Sequence, residues 1–113
     1  MLFRSILDNH VSKAAWCCNL EDGNGWWDEG TPYFESNSRF FKTQAWVNGL
    51  AAIAKFSKAH PAVAGIGLRN EIREIPVITN RDDWYKFVMR GAQAVYAANP
   101  DLLIAVEIGR AHV

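Results

Sequence analysis

Asn70 and Glu71 are the residues from which chemistry is most directly argued. They follow Arg69 and the run Ala62-Val63-Ala64-Gly65-Ile66-Gly67-Leu68, which is small, apolar and free of charge. Such a run reads as a strand buried on both faces, with the polar residues that follow it at its C-terminal end. In a barrel of alternating strands and helices that end carries the active site. A carboxyl group there can lend and recover a proton, which makes Glu71 the catalytic candidate. An acidic residue after a strand is commonly just solvated, so the reading leans on its neighbours. A second strand, Ile6 to Asn9, also ends in polar groups, with His10 at its tip. Taken alone, such a His is a surface or packing residue.

The elements that would position these groups follow from spacing. Val11 to about Ser38 is a loop far longer than the usual connection of about 4 to 6 residues, and long ordered loops tend to be functional. Within it Asp22-Gly23-Asn24-Gly25 is turn chemistry, since Gly and Asn tolerate positive φ, and the turn presents Trp26 and Trp27 together. Between Ser38 and Lys58 the spacing of Trp46, Leu50, Ile53 and Ala54 predicts a helix, with Trp46 and Phe56 read as core; it stops before His60-Pro61. A second helix is expected from Asn80, an N-cap type residue with Asp82 and Asp83 in the first turn. Its buried face is Trp84, Val88, Gly91 and Val95, and Asn99-Pro100 ends it. Leu102 to Val106 is a third strand. Arg73 and Glu74, in the loop after Glu71, read as solvated charges, and Arg69 reads as a residue that orders the site by hydrogen bonding. Strand, helix, strand, helix, strand makes two right-handed βαβ units on a parallel sheet.

Composition narrows the function classes. Lys plus Arg and Asp plus Glu both number 12, so no field of one sign extends from the surface to attract nucleic acid or an anionic membrane. No run approaches the roughly 18 to 20 apolar residues of a membrane span. The turns after the strands lack a glycine-rich phosphate loop, because Gly65 and Gly67 lie within the strand, and this excludes a nucleotide-binding α/β domain. Cys17 and Cys18 are adjacent, so pairing with each other would be strained; they either bridge to cysteines elsewhere or are small buried residues. With no further Cys and no clustered His, neither a metal nor another cofactor is expected.

Several of these segments, taken in order, are more specific than any one of them. Leu7-Asp8-Asn9-His10-Val11-Ser12-Lys13, Trp16-Cys17-Cys18, Asp22-Gly23-Asn24-Gly25-Trp26-Trp27, Leu68-Arg69-Asn70-Glu71 and Ala98-Asn99-Pro100-Asp101 resemble, at similar spacing, the cellulase-like branch of glycoside hydrolase family 5, most closely its fungal members. The resemblance runs from about Ile6 to Val106. It implies a partial (β/α)₈ TIM barrel comprising about the third to fifth strands and the intervening helices; a complete barrel needs about 250 residues. It implies a retaining hydrolase of β-glucan, cellulase-like and secreted, with Glu71 as acid/base, Asn70 hydrogen bonded to the sugar 2-hydroxyl, and His10 binding sugar near the point of cleavage. It places the nucleophile, another Glu, at the end of a seventh strand that this chain does not reach, so no turnover is expected from these residues alone. One of Trp16, Trp26 and Trp27 is expected to stack against a glucose ring, the other reading being that they pack the loop onto the barrel rim. A non-catalytic β-glucan-binding protein on the same fold is the alternative function; such a protein could dispense with the Asn70-Glu71 pair.

Both ends can be written as sequencing-adapter DNA read in frame. Leu2-Phe3-Arg4-Ser5 back-translates to CTC TTC CGA TCT, and Glu107-Ile108-Gly109-Arg110-Ala111-His112-Val113 to GAG ATC GGA AGA GCA CAC GTC. Residues 1–5 and 107–113 are therefore set aside as processing scars. Arg4, Arg110 and His112 are excluded from the site and Glu107 is held in doubt; native codons continuing past both ends of the source transcript would reverse this. No apolar leader follows Met1, which says nothing of where a longer parent goes.

Overall fold

The structure, a computed structural model, describes residues 3–15 and 17–107. Three strands, β1 (Ser5–Asp8), β2 (Val63–Gly67) and β3 (Leu103–Ala105), alternate with the helices α1 (Glu35–Ser38), α2 (Thr43–Ser57) and α3 (Arg81–Ala98). The sheet is wholly parallel in the order β1-β2-β3, with Leu7 opposite Ile66 and Ile66 opposite Ile104. The fold is thus α/β with three parallel strands, in the order that the hydrophobic spacing predicts.

The helices differ from expectation in instructive ways. Residues 38–42 do not begin the long helix; α1 is a single separate turn, and Lys42 is extended at φ −74° and ψ 111°. The side chain that caps α2 comes from the loop: Asp28 Oδ1 accepts from the Thr43 backbone N–H and from Thr43 Oγ1, both at 2.8 Å. A cap supplied from fifteen residues upstream leaves no local signature. Burial acts to raise the Asp28 pKa, but the Thr43 hydrogen bonds and the Lys42 charge outweigh it and hold the carboxyl below its ordinary range. At α3 the cap is local, since Asn80 Oδ1 accepts from Asp82 N–H at 3.0 Å.

The core lies between α2, α3 and the sheet. Trp46, Leu50 and Ala54 of α2 face Phe87, Val88 and Val95 of α3, over Ile66 and Leu68. Gly91 lets the helices meet, because a Cβ there would run into the Trp46 ring. Trp46 also donates its indole N–H to the Leu68 carbonyl at 2.8 Å, tying α2 to the end of β2. One core assignment is corrected: Phe56 is 55% exposed and stacks on His60; Ile53, one of the residues whose spacing marks the helix, is exposed as well, because both lie off the stripe that meets α3.

Only the middle strand is enclosed. Gly65 and Ile66 of β2 are buried, whereas Ile6 of β1 is 63% and Leu103 of β3 is 68% exposed. A three-stranded parallel sheet with two open edges and bare aliphatic side chains invites pairing with other chains. The chain expressed alone is expected to aggregate or to melt without a cooperative transition; dispersed NMR spectra and a sharp, reversible melt would contradict this.

Candidate active site

Because the strands are parallel, their C-terminal ends share one rim of the sheet. His10 lies just after β1, Arg69, Asn70 and Glu71 after β2, and Glu107 after β3. The rim is drawn together by backbone bonds: Asn70 N–H donates to the Asn9 carbonyl at 2.9 Å, and Leu68 N–H to the Ala105 carbonyl at 3.1 Å. His10 Nδ1 is 2.8 Å from Asp8 Oδ2, and its Nε2 is 3.4 Å from Asn70 Nδ2. With Asp8 accepting from Nδ1–H, the free lone pair of Nε2 faces the Asn70 amide. Asp8 thus holds the His10 ring and Asn9 the Arg69 guanidinium.

Glu71 is exposed on this rim, and its backbone N–H donates to Glu107 Oε2 at 2.9 Å. Its backbone is left-handed, at φ 49°. A non-glycine residue there carries strain on the order of 1 to 3 kcal/mol, which persists only where the surroundings hold it, and such residues cluster at functional sites. Behind the rim Arg69 is almost wholly buried, with its guanidinium on Asn9 Oδ1 at 3.1 Å and on the Asn24 carbonyl at 2.8 Å, and its plane 3.9 Å from the centre of the Phe41 ring. Burial, with the nearby Arg73 charge, lowers its pKa to about 10, so it stays protonated at neutral pH. A groove of about 420 Å³ beside His10, lined by Leu7, Asp8, Gly49 and Ile53 among others, follows the open edge of β1 and does not take in Asn70 or Glu71. Among the described residues no three His, Cys, Asp or Glu side chains converge as metal ligands would.

No family model matches the chain. A curated relative from Chamaecyparis obtusa, named glycosyl hydrolase 5 family protein, is 37% identical over 102 residues, covering 88% of this chain and 16% of its own length. Over most of its length the chain is similar to a protein of glycosyl hydrolase family 5. Two solved structures share its fold. The catalytic domain of the major endoglucanase from Xanthomonas campestris pv. campestris superposes with a TM-score of 0.60 at 30% identity, covering 92% of this chain and 27% of that one. A hyperthermophilic endocellulase from the archaeon Pyrococcus horikoshii gives a TM-score of 0.61 at 21% identity, covering 91% and 27%. The chain thus spans about a sixth of the curated relative and about a quarter of each solved chain.

The structure sets the Asn70 amide beside His10, with Glu71 next to it on the same rim, and places Trp26 and Trp27 in the core. Trp26 and Trp27 are 3% and 0% exposed, so the expectation of a sugar platform is corrected for both. Trp27 stacks on Phe87 at 5.0 Å and meets Phe41, Trp46 and Trp26 at 5.3, 5.6 and 5.2 Å, filling the gap above α2 and α3. Trp16, the third candidate, lies outside the described residues. Cys17 and Cys18 are half-buried, with their sulfurs in contact.

Arg73 and Glu74 are corrected too. Arg73 is 2% exposed and its Nη2 donates to Asp22 Oδ1 at 2.7 Å, while Glu74 is paired with Arg81 at 3.0 Å. Sequence reasoning passed over Arg73 because its partner lies 51 residues upstream. The available signal was the turn itself, whose Asp22 is an acceptor placed beside two glycines. Of these, Gly23 has φ 74°, whereas Gly25 is needed for a close approach, since a Cβ there would strike Asn37 and crowd Arg73.

Proposed function

We propose that the parent protein is a retaining glycoside hydrolase of cellulose-type β-1,4-glucan, and that this chain forms about the third to fifth strands of its (β/α)₈ barrel. The observation that carries the reading is the Asn70-Glu71 pair at the tip of β2, with the Asn70 amide 3.4 Å from His10 at the tip of β1. Similarity to a glycosyl hydrolase 5 family protein and the fold shared with an endoglucanase and an endocellulase support it.

Retaining hydrolysis uses two carboxyl groups about 5 to 5.5 Å apart. Glu71 protonates the glycosidic oxygen as the second carboxylate attacks the anomeric carbon. The Glu71 carboxylate then takes a proton from the water that releases the sugar, returning the site to its starting state. Asn70 donates to the 2-hydroxyl, a bond that strengthens as positive charge develops on the ring. Its Nδ2 now faces His10 Nε2 and the sulfurs of Cys17 and Cys18, at 3.6 and 3.9 Å. Sulfur is a weak acceptor, so a hydroxyl displaces it readily. The nucleophile comes from a later strand of the parent, which acts outside the cell.

Full-length protein incubated with β-1,4-glucan is expected to release reducing sugar with the β anomer formed first, as followed by NMR. Tight binding without release would establish the non-catalytic glucan-binding reading instead, and an α-first product would rule out retention.

A further inference from the structure

We propose that Arg73 and Asp22 are positioning residues for this reaction, holding Asn70 and Glu71 in working geometry by locking the 17–37 loop to the tip of β2; the inference rests on the roles given to those two residues above. The Asn70-Glu71 pair is bracketed. On one side Arg69 Nη2 donates to the Asn24 carbonyl at 2.8 Å; on the other, Arg73 N–H donates to the Gly25 carbonyl at 2.9 Å. Two consecutive carbonyls of one turn thus anchor the two ends of a five-residue stretch. Arg73 adds three further ties: Nη2 to Asp22, Nη1 to Cys17 Sγ at 3.6 Å, and its own carbonyl to Asn37 Nδ2 at 2.8 Å. The Cys17 sulfur that meets Arg73 also meets Asn70 Nδ2 at 3.6 Å, so the clamp lies one contact from the sugar-binding amide.

The strained backbone of Glu71 gives the bracket its purpose. A left-handed residue on an exposed rim relaxes unless both flanks are held, and Arg73 is the downstream hold. Its fork reaches Asp22 and Cys17 at once, which an ammonium cannot match. Asp22 is equally committed: Oδ1 also accepts from Asn24 N–H at 2.8 Å and Oδ2 from Asn19 N–H at 3.1 Å, so the carboxylate shapes the turn that it presents to Arg73.

The test uses the full-length enzyme and measures kcat, KM and Tm on an aryl β-cellobioside for Asp22→Asn and Arg73→Lys, each also in an Asn70→Ala background. Asp22→Asn keeps an acceptor oxygen while removing the charge, and it decides alone where Arg73→Lys does not fold. A loss of kcat of about 10- to 100-fold at nearly unchanged KM is expected, the size produced by a displacement of about 1 Å in a reacting group. In the Asn70→Ala background the part of the loss that runs through Asn70 disappears while the part that runs through Glu71 remains, so the two losses should combine to clearly less than their product. A fall in Tm with kcat preserved, or a kcat loss that multiplies in full with that of Asn70→Ala, would overturn the proposal and leave a purely structural ion pair. Full activity of Glu71→Gln would instead overturn the reading beneath it.

Discussion

Glu71→Gln in the full-length enzyme is expected to slow hydrolysis of cello-oligosaccharides by about 10²- to 10⁴-fold, the range that general acid catalysis contributes. Gln matches Glu in shape and can occupy the same left-handed backbone, so the fold is retained. What is lost is the transferable proton. An alkoxide leaving group cannot depart without it, whereas a dinitrophenolate can, so the first step should be nearly unaffected on a dinitrophenyl cellobioside. The second step still lacks its base, and the glycosyl-enzyme should accumulate as a burst. Azide, which attacks without giving up a proton, should restore turnover on that substrate alone. Equal loss of the first-step rate on both substrates, or no loss on either, would reject Glu71 as acid/base.

The second large effect is on stability. Trp27→Ala should destabilise the full-length enzyme by about 3 to 5 kcal/mol, as large-to-small changes at fully buried aromatic sites do. The indole touches four aromatic rings, and its Nε1 finds no hydrogen-bond partner among the described residues, so packing alone accounts for its place. Chemical denaturation should show the loss in the midpoint, while the affinity of the remaining folded enzyme for cello-oligosaccharides stays constant. A stable variant with weakened sugar binding would return Trp27 to the role of platform.

These two residues also mark what can be read from the chain and what cannot. Glu71 was legible because its position follows from a local rule: an uncharged apolar run ends, and its polar successors occupy the rim. The five-element order was legible for the same reason, with Pro61, Asn80 and Asn99-Pro100 punctuating it. Trp27 was not, since an indole suits a sugar face and a core gap equally, and the rings that enclose it come from residues 41, 46 and 87. The start of α2 failed on the same ground, its cap being Asp28. Arg73 looked solvated because a charge next to Glu74 in a loop ordinarily is, and nothing nearby announces Asp22.

That separation in sequence has a consequence for biosynthesis. Asp22 leaves the ribosome 51 residues before the guanidinium that neutralises it, a delay of about 3 to 10 s at translation rates of about 5 to 20 residues per second. Phe87, on which Trp27 comes to rest, emerges later still. Throughout that interval a nascent segment rich in indole has no surface to settle on, so the stretch that finally secures the catalytic rim is also the one most exposed to capture by chaperones while the polypeptide is being made.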